Sequence, residues 1–176
     1  VIKDQNLDDF LLAGLNDSKK LTAAKREALY ERLFEAQEQG KLCIGIGQAS
    51  VEEIDRYNIL QATFMAMRRA YEALAEKPLA ALVDGNRTPK DFPCACQTVV
   101  KGDGKSYSVA AASIVAKVYR DRLMADLAQQ YPYYGFEKNA GYGTKLHIDG
   151  LKKYGVIAEH RKSYRPIKEF LLADAG

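Results

Sequence analysis

Between residues 22 and 40, apolar side chains recur every three or four positions, at Ala24, Ala28, Leu29, Leu33, Phe34 and Ala36. That spacing predicts a helix over LTAAKREALYERLFEAQEQG, with Gly40 where a C-terminal cap belongs. The next run, KLCIGIGQA, reads as a strand. Ser50 and Glu53 stand at capping-box spacing and open a short helix. Asn58 caps a longer one running to about Ala75, with Ile59, Ala62, Met65, Ala66 and Ala70 inward and Arg68 and Arg69 outward. Pro78 ends that helix, and PLAALV reads as a short buried strand. CACQTVV makes another strand, broken by KGDGKS. The longest helix, SVAAASIVAKVYRDRLMADLAQQY, begins near Ser108. The small side chains of Ala110, Ala111, Ala112, Ser113 and Ala116 in its first turns let it sit close to a sheet or a ligand. Gly141 and Gly143 surround Tyr142 in a loop, Thr144 caps the following helix, and Gly155 ends it. A last amphipathic helix starts after Pro166.

Strands alternating with helices predict an α/β architecture with a sheet that is small for so many helices. With no internal repeat, low-complexity stretch or linker, residues 1–176 read as a single domain, of which 138–176 is a basic helical part. No apolar run approaches the roughly 20 residues of a membrane helix. The opening VIKDQNLDDF lacks a basic start, an apolar stretch and a cleavage site, so no export signal is read there. Cys43, Cys94 and Cys96 are an odd number without a framework pattern, which fits reduced thiols and a cytoplasmic chain. Without a second cysteine pair, Cys94 and Cys96 read as alternation on a strand rather than as half a metal site.

The net charge of +3 says little, but its distribution says more. Eight basic residues (Lys138, Lys145, Lys152, Lys153, Arg161, Lys162, Arg165 and Lys168) stand against Asp149 and Glu159, a local net of +6. Interleaved with Tyr142, Tyr154 and Tyr164, this stretch suits a polyanion partner, although a solvated helix face with ordinary lysines has the same composition.

Two aspartates occupy similar places. Asp84 ends the strand PLAALV and is followed by the turn residues Gly85 and Asn86; Asp103 lies just past the next strand, between glycines and ahead of the longest helix. Each is either a turn-maker or a functional acid lifted to a sheet rim, where α/β proteins collect such groups. Two carboxylates about 4 Å apart repel by roughly 4 kcal/mol at an effective dielectric of about 20, so such a pair wants a cation between. All-oxygen ligands favour Mg²⁺ or Mn²⁺. Lys101 and Lys105 beside Asp103 suit a site that handles phosphate. A small-molecule phosphate-binding protein is the poorer alternative, because no Gly-rich strand-to-helix fingerprint is present.

Six segments then occur in order: LNDSKKL (15–21), VDGN (83–86), VVKGD (99–103), AAASIVAKVYRDR (110–122), GYGT (141–144) and EHRKSYRPI (159–167). Each is weak alone. Together, over nearly the whole chain, the series resembles bacterial ribonuclease HII, the type 2 ribonuclease H. The resemblance implies a ribonuclease H-like fold, a central mixed sheet flanked by helices. It also implies an endonuclease that cuts RNA in RNA–DNA hybrids, and single ribonucleotides embedded in DNA, by two-metal-ion hydrolysis with Mn²⁺ or Mg²⁺. Such an enzyme leaves 5′-phosphate and 3′-hydroxyl ends, serves ribonucleotide excision repair in the cytoplasm, and acts as a monomer away from membranes.

Of the four acidic metal ligands the resemblance implies, the third matches Asp84 and the fourth Asp103, the catalytic and metal-binding pair. Asp121, mid-helix in YRDR, reads as structural. Tyr142 resembles the family tyrosine that senses the ribonucleotide-to-deoxyribonucleotide junction, with packing in the core as the alternative. Lys19, Lys20, Lys101, Arg161 and Lys162 are candidates for gripping the nucleic-acid backbone, with a solvated surface as the alternative for the lysines. His147 and His160 are not read as catalytic. One departure stands out: the family's opening strand with Asp-Glu and Gly-Arg-Gly has no counterpart in this sequence. The expectation is therefore a chain lacking that first strand, with a catalytically incomplete hybrid-binding remnant as the alternative to an active nuclease.

Overall fold

The computed structural model describes residues 2, 14–15 and 21–173. Along them run α1 (Ala23–Glu38), α2 (Val51–Ala73), β1 (Ala80–Asp84), β2 (Ala95–Val99), α3 (Tyr107–Gln130), α4 (Phe136–Asn139), α5 (Lys145–Tyr154) and α6 (Ile167–Ala173). β1 and β2 pair in parallel, with Ala80 opposite Ala95 and Asp84 opposite Val99. A separate antiparallel bridge joins Ile2 and Leu42. The chain forms two compact units, one of residues Val1–Gln48 and Thr63–Val118, the other of Ala49–Ala62 and Tyr119–Gly176.

In the first unit, Leu29, Leu33 and Ala36 of α1 share a core with Leu15, Leu42 and the α3 residues Ala110, Ala111, Ile114, Val115 and Val118. The α3 set follows one helical stripe, and its two alanines allow close packing while Ala112 and Ala116 stay exposed. Ala24 and Ala28, expected inward on α1, are exposed, and Tyr30 is buried instead. The apolar stripe starts one turn later than the alanines suggest, because a methyl group contributes little burial and does not orient a helix.

KLCIGIGQA, expected as a strand, makes no ladder among the described residues beyond the Leu42 bridge. Its alternation has another cause. Ile44 and Ile46 pack against the core, whereas Gly45 and Gly47 lie against α2. A Cβ at Gly45 would fall 2.1 Å from the Ala70 carbonyl oxygen, and one at Gly47 2.2 Å from that of Ala66. The Ile44 N–H is taken up by the Gln37 side chain at 2.6 Å.

β1 is not the buried strand its composition predicts. Val83 is buried, but Leu82 is 47% exposed and Leu79 94%. An apolar run states affinity for a core; how many layers cover it depends on neighbours the run does not encode.

The second unit closes on Tyr134, Phe136, Leu151 and Ile167, with Leu127, Ile148 and Phe170 packed around them. Gly150 lets α5 press against the chain ahead of α4, where a Cβ would stand 2.5 Å from the Tyr133 carbonyl oxygen. The helix ends follow the sequence closely. Glu53 N–H donates to Ser50 Oγ at 3.2 Å and Ser50 N–H to Glu53 Oε2 at 2.8 Å, a reciprocal capping box. Asn58 interrupts α2 at φ 69°, and its Oδ1 accepts the N–H groups of Leu60 and Gln61. Ile59, expected inward just after that kink, is 53% exposed.

Candidate functional site

Asp84 is the last residue of β1, and the chain tips over immediately after it, Gly85 donating its N–H back to Val99 of β2 at 3.2 Å. Beyond β2, Lys101 takes a left-handed conformation (φ 56°, ψ 48°) and Gly102–Gly104 form one 3₁₀ turn. Gly102 packs closely there, since a Cβ would stand 3.0 Å from a methyl group of Val109. The turn is tied to the first strand by one bond: Gly102 N–H donates to Asp84 Oδ1 at 2.9 Å. Asp103, the next residue, is buried, and Lys101 beside it is exposed. The strand end bearing Asp84 and the turn bearing Lys101 and Asp103 thus adjoin at the carboxyl ends of two neighbouring parallel strands.

The chemistry of this pair is that of hard oxygen donors, the kind Mg²⁺ and Mn²⁺ take. Two carboxylates fill fewer positions than an octahedral ion has, which leaves room for water and phosphate oxygens. Among the described residues, no group of three or more His, Cys, Asp or Glu converges in a way that could hold an ion. The two carboxylates fit a divalent ion in donor type.

The second unit holds the other candidates. Tyr142 lies in the loop between α4 and α5 with 68% of its surface exposed, so packing in the core does not account for it. The backbone beneath it is turned by positive φ at Ala140 (48°) and Gly141 (82°). Pro166 adjoins this loop, 3.7 Å from where a Cβ on Gly143 would stand.

Just before Pro166 runs the basic loop. Arg161 stacks over the Tyr164 ring at 4.4 Å, Lys162 is exposed, and Arg165 pairs with Glu169 at 3.1 Å. Two inward anchors hold this loop. His160 Nδ1 accepts the Ile157 N–H at 3.0 Å. Asp55, in the first half of α2, accepts the Lys162 N–H at 2.8 Å, the Ser163 N–H at 3.0 Å and the Ser163 hydroxyl at 2.5 Å. Burial opposes ionisation of Asp55, but the bonds from Ser163 and Lys162 more than offset it and hold its carboxyl below the usual range. Asp55 carries no sequence signal for this role, since its partners lie 107 and 108 residues away.

His147 and His160 belong to the core. They are 1% and 4% exposed and face each other edge-on at 5.1 Å within a cage that includes Tyr134 and Phe136. Burial lowers the basicity of both, and His160 falls to about 4 with the added effect of His147. Lys19 and Lys20 lie outside the described residues. No described helix is long and apolar enough to cross a membrane.

Comparison with known proteins gives one consistent result. The family model described as ribonuclease HII matches residues 1–167. The ribonuclease HII of Paramagnetospirillum magneticum is 52% identical over 172 residues, covering 98% of this chain and 83% of that protein. That of Rhodospirillum rubrum is 54% identical over 175 residues, covering 99% of this chain and 78% of that protein. Among solved structures, the ribonuclease H2 of Pyrococcus horikoshii superposes with a TM-score of 0.71 at 25% identity, covering 98% of this chain and 87% of that one. The fold is the ribonuclease H-like α/β fold of these relatives.

Proposed function

The chain belongs to the ribonuclease HII family, a family of hydrolases that act on RNA, and from this we propose that it cuts the RNA strand of RNA–DNA hybrids, and single ribonucleotides within duplex DNA, at a divalent-ion site built on Asp84 and Asp103. The observation that carries the reading is the bond from Gly102 N–H to Asp84 Oδ1, which sets the strand end bearing one acid against the turn bearing the other.

In this reading Asp84 and Asp103 are the side chains that hold Mg²⁺ or Mn²⁺. Bound divalent ions supply activation of the attacking water and stabilisation of charge on the leaving 3′-oxygen. The rest is geometry and charge from the protein. Asp84 keeps one oxygen on the Gly102 N–H, which fixes the direction of the other. Asp103, on a buried turn, loses little conformational freedom when it binds. Lys101, exposed beside the pair, attracts the phosphate backbone, as do Arg161 and Lys162 from the basic loop. Tyr142 presents an exposed ring for stacking on a sugar or base at the junction between RNA and DNA. Neither histidine takes part, because both are buried away from solvent among aromatic rings. The protein acts as a monomer in the cytoplasm, in the removal of ribonucleotides from DNA.

Titrating Mn²⁺ into the protein by calorimetry tests the site directly. Asp84→Asn and Asp103→Asn should each weaken binding by about tenfold or more, the scale of a lost charged ligand. Binding unchanged in both variants would remove the pair from the metal site.

A further inference from the structure

Asn139 is a buried polar side chain, 6% exposed, at the end of α4, and its amide is used on both sides. Nδ2 donates to the Tyr134 carbonyl at 2.6 Å and to Thr144 Oγ1 at 3.3 Å; Oδ1 accepts the Gly141 N–H at 2.9 Å. Its main chain works on the same loop: the Asn139 carbonyl accepts the Tyr142 N–H at 2.8 Å, and the Tyr142 carbonyl accepts the Thr144 N–H at 2.7 Å. From outside, Arg120 donates to the Ala140 carbonyl at 3.1 Å. These bonds surround two successive left-handed residues, Ala140 and Gly141. An L residue such as Ala140 keeps that conformation only where its surroundings hold it.

An apolar side chain at 139 would fill the same space. It would also take from the Gly141 N–H the acceptor it has in Asn139 Oδ1, so the amide's contribution is to the loop rather than to core volume. The loop's product is one side chain: the Tyr142 ring, 68% exposed on a residue whose own N–H and carbonyl are both bonded. We propose that Asn139 is a positioning residue for ribonucleotide recognition, its amide holding residues 140–143 so that Tyr142 is already set to stack on the substrate. The gain is one of preorganisation, since a loop built before binding does not have to be ordered during it. The inference rests on the reading of Tyr142 given under Proposed function, and goes beyond it by naming what fixes the ring.

The test is the ratio of affinities for a DNA duplex carrying one ribonucleotide and for the same duplex in all-DNA form, measured without divalent ions so that both stay intact. Tyr142→Ala should lower the ratio by about tenfold, the scale of one lost stacking contact. Asn139→Ala should lower it comparably, and the double variant should fall no further than Tyr142→Ala alone, because no ring is left to position. Should Asn139→Ala fail to fold, Gly141→Ala serves in its place: it strains the φ of 82° on an open surface, with nothing within 4 Å of the added Cβ. If Tyr142→Ala lowers the ratio while folded Asn139→Ala and Gly141→Ala keep it, the positioning role is wrong and the Tyr142 reading survives. If the two losses add in the double variant, Asn139 acts on its own account and the proposal is again wrong. If Tyr142→Ala leaves the ratio intact, both readings are overturned together.

Discussion

His160 sits edge-on to Tyr134 at 5.0 Å, its Nδ1 committed to the Ile157 N–H. With a pKa of about 4 in the folded protein against 6.5 for the free side chain, it takes up a proton more readily when the chain unfolds. Stability is therefore complete above about pH 6.5 and is lost as the pH falls through the window down to about 4. The loss attributable to this group is about 3 kcal/mol. Thermal melts across that window should show a steeper acid slope for the parent than for His160→Asn, which keeps an acceptor but does not titrate. Parallel slopes would mean that the imidazole charges without cost. At this scale the sequence was informative about acids at strand ends and silent about clamps. Asp84 and Asp103 each follow an apolar run and border turn glycines, a local pattern. Asp55 stands in an unremarkable helical stretch, and its work appears only when residues 162 and 163 fold back onto it.

Among elements, helix ends were the most legible, because a cap is a contact between residues three or four apart. Thr144 accepts the N–H three residues on and Gly155 ends α5, as their positions suggest. The segment at 41–47 shows the opposite case. Alternation of Ile and Gly mimics a strand with one buried face, but the glycines answer to α2 passing within van der Waals reach of the backbone. Gly47→Ala should accordingly cost about 1–3 kcal/mol in denaturant unfolding, since the carbonyl of Ala66 and the backbone nitrogen of Ala70 cannot give way as a flexible side chain would. A loss below about half a kcal/mol would mean that α2 shifts freely. Exposure was the least legible property. Leu79, Leu82 and Val100 lie outside the core despite apolar sequence around them, because burial is a property of neighbours and not of the run itself.

For the molecule as a whole, the family came from six short segments in a fixed order, a signal that survives any error in a single element. Charge contributes a separate argument. The excess of positive residues lies in one region, and the basic loop 161–165 within it is anchored through Asp55 and His160. Changing Arg161 and Lys162 together to Gln should lower the slope of log affinity against log salt by about 2, close to one counterion per lost phosphate contact. An unchanged slope would return both residues to the solvent. If Asp84 serves the chemistry of cutting more than the holding of nucleic acid, its replacement should separate incision from binding. The protein and its Asp84→Asn variant are each incubated with Mn²⁺ and a DNA duplex containing one ribonucleotide, and binding and incision are followed separately. The parent should incise at the ribonucleotide, leaving 5′-phosphate and 3′-hydroxyl ends, and the variant should bind with similar affinity but cut at least about a hundredfold more slowly. A variant that cuts at the parental rate, or a parent that binds the duplex and leaves it whole, would contradict this.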